Sequence, residues 1–324
     1  MGRLDVGLTL GGADDPAQHA ARLRWLDHAE AMGLHSVWLP EGHFGPGACA
    51  SPLLTLAAFA ARTRHVRLGT SSLLVSIHHP LRIAEEVSAL EALSGGRVWL
   101  GVGRGFREPL FRGFGVAPGT KRDRFDEAID AILSAWSGES LVLTGEFFET
   151  RGRPVWAALR PVQHPHPPLL VAAFGRKGLA QAARRGLPYL ASPLEPLDLL
   201  VENHAFHRER LAAPLRSDVA RAPVMRTVFV ARDDREAARV HAGLEAERSR
   251  IRAGRLPAAL ARAAEGEVSD RVLVGTRSAV ADGVARYRER VGMDLLIART
   301  QVPATDEPAQ RASLEALLEI CSQP

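Results

Sequence analysis

Cysteine, lysine and long apolar runs are what this chain lacks. Cys49 and Cys321 are its only cysteines, too few for a disulfide framework or a metal-spaced set, which suits a reducing compartment. Lys121 and Lys177 are the only lysines, so the basic side is almost all arginine. Those arginines interleave with acids, as in "RDDREAAR", and the formal net charge is a modest +4. With no basic block, nucleic acid is excluded as a partner. No run approaches the roughly eighteen apolar residues of a membrane span. The opening "MGRLDVGLTL" has no charged leader before a long apolar segment. The expected compartment is the cytoplasm, with no membrane partner.

What is present is a rhythm. The apolar runs "RLDVGLTL", "SVWLP", "VRLGTSSLLV", "RVWLGVG", "PLLVAAF", "PYLAS", "VMRTVFVA" and "DLLIART" alternate with amphipathic stretches. "DPAQHAARLRWLDHAEAMG" opens on an Asp-Pro start signal and closes at Gly33. In "SPLLTLAAFAART", Ser51 stands as N-cap and Pro52 as the first helical residue. Its Leu53, Leu54, Leu56 and Phe59 cover more than one stripe, which predicts a covered outer face. Eight strands, nearly all followed by a helix, predict a parallel α/β sheet with right-handed crossovers. Eight is also the number that closes a (β/α)8 TIM barrel. The chain reads as one such domain over 1–324. Two stretches break the rhythm: a proline-rich excursion at about 141–167, expected to be a small hairpin plus extended chain, and an irregular insertion at about 252–272.

The glycines of "LGVGRGF", Leu100 to Phe106, invite a dinucleotide reading. That reading needs a helix at once and an acid ending the next strand about twenty residues on. Instead "REPLFRGFGVAPGTKR" reads as an irregular loop, and Asp123 and Asp126 fall on a helix. In a barrel, strand ends converge on one mouth, and here they carry "PEGHF", "GTSS", "GVGRG" and "AFGRKG". Arg104, with the loop Gly175, Arg176, Lys177 and Gly178, has the charge and close-approaching backbone to hold a phosphate. Alternatively, Arg104 pairs with a local carboxylate and the glycines only turn corners.

The block from "GLHSVWLPEGHF" through "HHPLRIAEEVSALEALSGGRVWLGVGRG", followed by "PVQHPHPPLLVAAFGRKGLAQAARRGLPYLAS", resembles the bacterial luciferase-like monooxygenase family. The likeness runs from the first strand to about residue 192. It implies a (β/α)8 barrel that binds FMN, or a deazaflavin analogue, with its phosphate deep in the mouth. Carried residue by residue, Arg104 and Gly105 fall at the family's phosphate arginine, and Gly175 to Gly178 fall in its phosphate loop. That loop lacks the usual serine and threonine. Thr70, Ser71 and Ser72 match the bulged third strand beneath the flavin ring, where the family has a cis peptide at the serine pair. Family members often carry two histidines after the strand-end glutamate. Here the first position is Gly42 and only His43 remains; Glu41 reads either as orienting His43 or as sitting in the barrel floor. Gly103 occupies the position of the thiol found near the flavin in luciferases.

His43 reads as a general acid/base or substrate contact, or else as a strand-end histidine bonded to a carbonyl. His78 and His79 receive no catalytic role. Trp38 and Trp99 read as core packing. The implied activity is a monooxygenase that uses reduced FMN, from a separate flavin reductase, and dioxygen to oxygenate a small organic substrate. The alternatives are a deazaflavin-dependent hydride-transfer oxidoreductase on the same barrel and a non-catalytic flavin-binding protein. The resemblance also implies a homodimer paired through the second and third helices.

Overall fold

The computed structural model describes residues 4–13, 15–45, 47–156, 160–173, 175–252, 261 and 266–322. Strands and helices alternate along the chain as β1 (Asp5–Thr9), α1 (Pro16–Ala31), β2 (Ser36–Leu39), α2 (Pro52–Arg62), β3 (Arg67–Leu74), α3 (Pro80–Ser94) and β4 (Val98–Gly103). Next come α4 (Glu108–Gly113), α5 (Lys121–Ser137), β5 (Leu169–Ala172), α6 (Arg176–Arg184), β6 (Tyr189–Leu190) and α7 (Leu197–Glu209). The chain ends with β7 (Pro223–Ala231), α8 (Asp234–Arg252), β8 (Val272–Thr276), α9 (Arg277–Val291), β9 (Leu295–Arg299) and α10 (Glu307–Ser322). The strand ladders are parallel. Parallel strands linked by helices in this order are the (β/α)8 architecture. No helix among the described residues is long and apolar enough to cross a membrane.

Contacts gather the chain into two compact units. One holds β2 from Val37 through β5, with α1 to α5. Here β4 is buried at all six positions, the continuous apolar run of a parallel strand covered on both faces. Trp38 and Trp99 are buried and meet edge to face at 6.3 Å, so both are core residues. Gly69 makes that packing possible, since a Cβ there would lie 2.3 Å from the Trp38 ring. Helix starts and stops follow the sequence signals. Asp15 Oδ1 accepts the Gln18 N–H at 2.8 Å, and Gly95 closes α3 at φ 67. Ser51 precedes Pro52 as expected but makes no side-chain cap.

The excursion after α5 is a hairpin pinned to the unit. Antiparallel bridges join Leu141 to Val155 and Thr144 to Glu149. Glu127 of α5 accepts the N–H groups of Phe147 and Phe148, and Arg124 lies over both rings. Further on, Gln163 is held by the buried Glu91 of α3, which also accepts the Val98 N–H at 2.9 Å. The stretch after Phe106 is not wholly irregular. It contains α4, whose Leu110 and Phe111 are buried beside Ile77. Six residues are too few for a helical period to show in the sequence.

The other unit holds β1 and β6 to β9, with α6 to α10. β7 pairs with β9 over Pro223–Thr227 and with β8 over Thr227–Ala231. β8 is a ninth strand, beyond the eight expected. Its burial alternates, and its first residue, Val272, falls at the end of the stretch expected to be irregular. Residues 253–260 and 262–265 of the stretch expected to be an irregular insertion lie outside the described residues. Beneath β6, the Tyr189 hydroxyl and Asn203 amide donate to the buried Glu195, and Arg226 donates to the Ser192 and Glu195 carbonyls. This polar network has its partners and holds the chain that follows β6.

The Trp38 packing sets a test. Gly69→Ala overpacks the core and lowers stability by about 1–3 kcal/mol, read as a lower urea midpoint. An unchanged midpoint would show that the ring can move aside.

Candidate functional site

The site begins where β2 ends. Glu41 Oε1 accepts from His43 Nε2 at 2.7 Å and from His78 Nε2 at 2.6 Å. Its Oε2 accepts the Leu74 N–H at 2.6 Å, and its own N–H donates to the Ser72 carbonyl at 3.2 Å. One side chain thus ties the end of β2 to the end of β3. Burial pushes the Glu41 carboxyl up, but the donors of His78, Leu74 and His43 outweigh it and hold it below its ordinary range. Phe114 stands edge-on to His43 at 4.8 Å, and Phe44 lies 5.7 Å from both rings. Phe44 is 64% exposed and sits at φ 57, a conformation uncommon for a bulky residue. Gly113 accommodates it, because a Cβ there would lie 2.5 Å from the Phe44 ring. The result is an accessible aromatic wall beside a carboxylate-held imidazole.

The second part of the site lies on β3, β4 and the start of α5. The Ser71–Ser72 peptide is cis and the β3–β4 register shifts between Ser71 and Leu73, as expected of this pair. Ser71 Oγ is buried without a hydrogen-bond partner among the described residues. Thr70, by contrast, spends its hydroxyl on the Gly101 carbonyl at 2.7 Å, so its side chain locks β3 to β4. Gly103 is required by Ser72, whose Oγ would lie 2.3 Å from a Cβ at that position. Gly105 is at φ 70, with Leu110 filling the space a Cβ would take. Arg104 is lowered by burial and by the like charge of Arg122, with Asp126 opposing. Lys121 is lowered by burial and then by Arg104 and Arg122. Arg104 and Lys121 lose water to burial and, with the exposed Arg122, bring like charges together, a cluster whose repulsion an anion would relieve.

Gly175, Arg176, Lys177 and Gly178 belong to the other unit. They form no open loop: Gly175 is the N-cap of α6 at φ 73, and the next three residues are its first turn. The Arg176 guanidinium stacks over Phe206 at 4.7 Å. Within the first unit, two contributions were missed from sequence. His78 joins Glu41, although its place after a strand end is the same signal that picked out His43. Lys121 and Arg122 crowd Arg104, although they lie seventeen or more positions away and only the fold brings them close. His79 is turned away, 5.5 Å from the Phe148 ring.

Glu41, His43 and His78 form the donor set of a divalent metal, their ligand atoms lying within 4.8 Å of one another. Two donors bound tetrahedrally at about 2.0–2.1 Å would stand roughly 3.3 Å apart. The 2.6 and 2.7 Å separations seen here are those of charge-assisted hydrogen bonds instead. For a flavin, the donor chemistry fits: a cationic cluster and a buried unpartnered hydroxyl at Ser71.

The family model for the luciferase-like monooxygenases matches residues 4–294. The chain belongs to this family. Two curated relatives are an uncharacterized protein of Sinorhizobium fredii and the oxygenase component of a flavin-dependent trigonelline monooxygenase of Acinetobacter baylyi. The first is 39% identical over 170 residues, covering 52% of this chain and 49% of the relative. The second is 31% identical over 216 residues, covering 64% and 58%. The chain therefore spans about half the length of the curated relatives it matches. Among solved structures, the monooxygenase RslO1 of Streptomyces bottropensis superposes with a TM-score of 0.84 at 27% identity, covering 98% of each chain. The fold is shared, at 20% identity and a TM-score of 0.82, with the FMN-bound oxygenating constituent of 3,6-diketocamphane monooxygenase of Pseudomonas putida (99% of this chain, 98% of that one). It is shared too with an F420-dependent secondary alcohol dehydrogenase, at 16% identity and a TM-score of 0.80 (99% and 100%).

The depressed Glu41 carboxyl carries a pH signature. Its stabilising effect is complete above the ordinary carboxylate range and is lost as pH falls through the folded value. Glu41→Gln should cost about 3 kcal/mol at neutral pH, and the gap to the parent should close as the pH drops below about 4. Urea unfolding at several pH values reads this directly. A gap that stays constant down to acid would mean that Glu41 is not ionised in the fold.

Proposed function

We propose that the chain is the oxygenating component of a two-component flavin monooxygenase, taking reduced FMN from a separate reductase and using dioxygen to oxygenate a small organic substrate. The observation that carries this reading is the crowding of Arg104, Lys121 and Arg122 beside glycines of β4, which suits a doubly charged phosphate. The naming of the Acinetobacter relative as an oxygenase component supports the reductase partner. FMN, when bound, supplies the redox chemistry toward dioxygen.

The chain's own residues have narrower tasks. Arg104, Lys121 and Arg122 would hold the phosphate, and Ser71 Oγ would meet a polar edge of the ring system. His43, held at Nε2 by Glu41, keeps Nδ1 to take or return a proton. Phe44 and Phe114 offer an apolar seat and keep water from the imidazole. The pinned hairpin at 141–155 and α4 would frame this place. The expected setting is the cytoplasm.

A deazaflavin-dependent hydride transfer is the second reading, supported by the F420-dependent alcohol dehydrogenase of the same fold. Oxygen consumption with reduced FMN separates the two, since hydride transfer consumes none.

Arg104→Ala should weaken FMN binding by about 1.5–3 kcal/mol, the scale of a hydrogen bond to a charged group. Riboflavin, without the phosphate, should bind parent and variant alike. Equal losses for both ligands would make Arg104 structural and sink the phosphate reading.

A homodimer through α2 and α3 is also expected. Leu54 and Leu93 are 73% and 65% exposed on those helices, while Leu53, Leu56 and Phe59 face the core. The broad apolar face expected of α2 thus narrows to Leu54, because the other three pack inward; Leu54 and Leu93 are what a partner would cover. Light scattering should exceed the 35.0 kDa of one chain at micromolar concentration; a clean monomer removes the idea.

A further inference from the structure

Phe44 is held in a position from which the fold itself gains little. Its backbone sits at φ 57, a region that bulky side chains avoid, and its ring is 64% exposed. Strain of this kind persists only where the surroundings enforce it, and it gathers at ligand clamps. Here Gly113, the last residue of α4, makes room for the ring: a Cβ there would fall 2.5 Å from it. Phe114 comes next, 38% exposed, with its ring 5.7 Å from that of Phe44 and the two planes 40° apart. His43 lies against both, edge-on to Phe114 at 4.8 Å. Two aromatic faces left open to water beside an imidazole suit a third ring, which prefers stacked or edge-on contacts.

The same helix brings a cation to this place. Arg107 stands just before α4, and its guanidinium reaches the loop after β2. Its Nη1 lies 3.9 Å from where a Cβ of Gly45, the residue after Phe44, would sit. Among the described residues no carboxylate pairs with it. From Arg107 to Phe114 the only acid is Glu108, against Arg107 and Arg112, so this stretch carries net positive charge. A guanidinium presents a planar fork of N–H donors, which matches a carboxylate in charge and shape. The phosphate of a flavin has its own cations in Arg104, Lys121 and Arg122.

We propose that the substrate is an aromatic carboxylate, its ring on Phe44 and Phe114 and its anionic group on Arg107. This rests on reading the place beside His43 as the substrate site of an oxygenase. Phe44 and Phe114 then select for a flat ring, and Arg107 selects for the charge. Because Arg107 is exposed, its pairing adds selectivity more than affinity. The strain at Phe44 fits this division of tasks. A residue at ease with positive φ would relax the backbone there, but it would offer no ring.

The test titrates benzoate, benzamide and cyclohexanecarboxylate into the full chain with FMN at saturation, so that the cations around Arg104 are already occupied. The same titration is run without flavin in phosphate buffer, and calorimetry reads the affinities. Benzoate should bind about threefold or more tightly than either analogue, the scale of an aromatic contact or an exposed ion pair. Arg107→Gln should abolish the preference for benzoate over benzamide and leave benzamide as it was. Phe44→Asn should weaken benzoate and benzamide alike. Its thermal midpoint should be unchanged or higher, because asparagine accepts positive φ. Benzoate bound no tighter than either analogue, or lost together with benzamide in Arg107→Gln, overturns the proposal. So does a Phe44→Asn chain that melts earlier or does not fold, since the ring is then structural. Oxygen uptake with reduced FMN is read separately. No uptake while benzoate still binds selectively sinks the oxygenase reading and upholds the ligand class.

Discussion

A buried carboxylate must be satisfied on every lone pair, and Glu41 meets that demand by reaching across two strand ends. Its backbone N–H goes to Ser72, one oxygen goes to Leu74, and the other goes to two histidines. These bonds set where β2 stops, where the β3 bulge lies, and how His43 is aimed. Breaking any of them leaves a charged or polar group without water or partner, which a folded interior tolerates poorly. The geometry of the site is therefore over-determined from the inside.

The same device recurs elsewhere in this unit. Glu30 of α1 accepts the N–H groups of Arg64, His65 and Val66, Glu91 accepts those of Val98 and Gln163, and Glu127 accepts those of Phe147 and Phe148. In each case a helical carboxylate binds backbone N–H groups of an irregular segment, and Glu91 also holds the first residue of β4. With only two lysines available, loop anchoring falls to carboxylate–backbone bonds and to arginines such as Arg97, which donates to the Ala60, Thr63 and Val66 carbonyls. Backbone donors lose no rotamer freedom, so such anchors fix a loop at lower entropic cost than an ion pair between two long side chains.

Much of the fold was legible because its signals are local. The strand at β4 is an unbroken apolar run, α1 has its Asp-Pro start, and Gly95 and Gly33 mark their turns. What escaped was either short or non-local. α4 has too few residues to display a period, and the short run of β8, Val272 to Val274, begins inside the stretch expected to be irregular. At the site, Glu41, His43, Ser71 and Arg104 stood out as strand-end residues and through the family likeness. Lys121 and Arg122 did not, because a charge at the start of a helix reads as solvated until the fold places it beside another cation. Gly175 to Gly178 misled in the opposite direction: a glycine-flanked basic run reads as a loop, yet three of those residues begin a helix.

The departure at Gly42 takes on a different meaning once His78 is in view. A Cβ at Gly42 would meet only Ala48 and Cys49 backbone atoms at 3.9 Å, so packing does not force glycine there. The second imidazole beside the strand-end glutamate is supplied instead from beyond β3, by a residue thirty-five positions away from His43. A ring at position 78 reaches Glu41 from the other side and is more exposed to solvent. The site thus keeps two imidazoles on one carboxylate while separating their surroundings, one ring nearly enclosed and the other partly open to solvent.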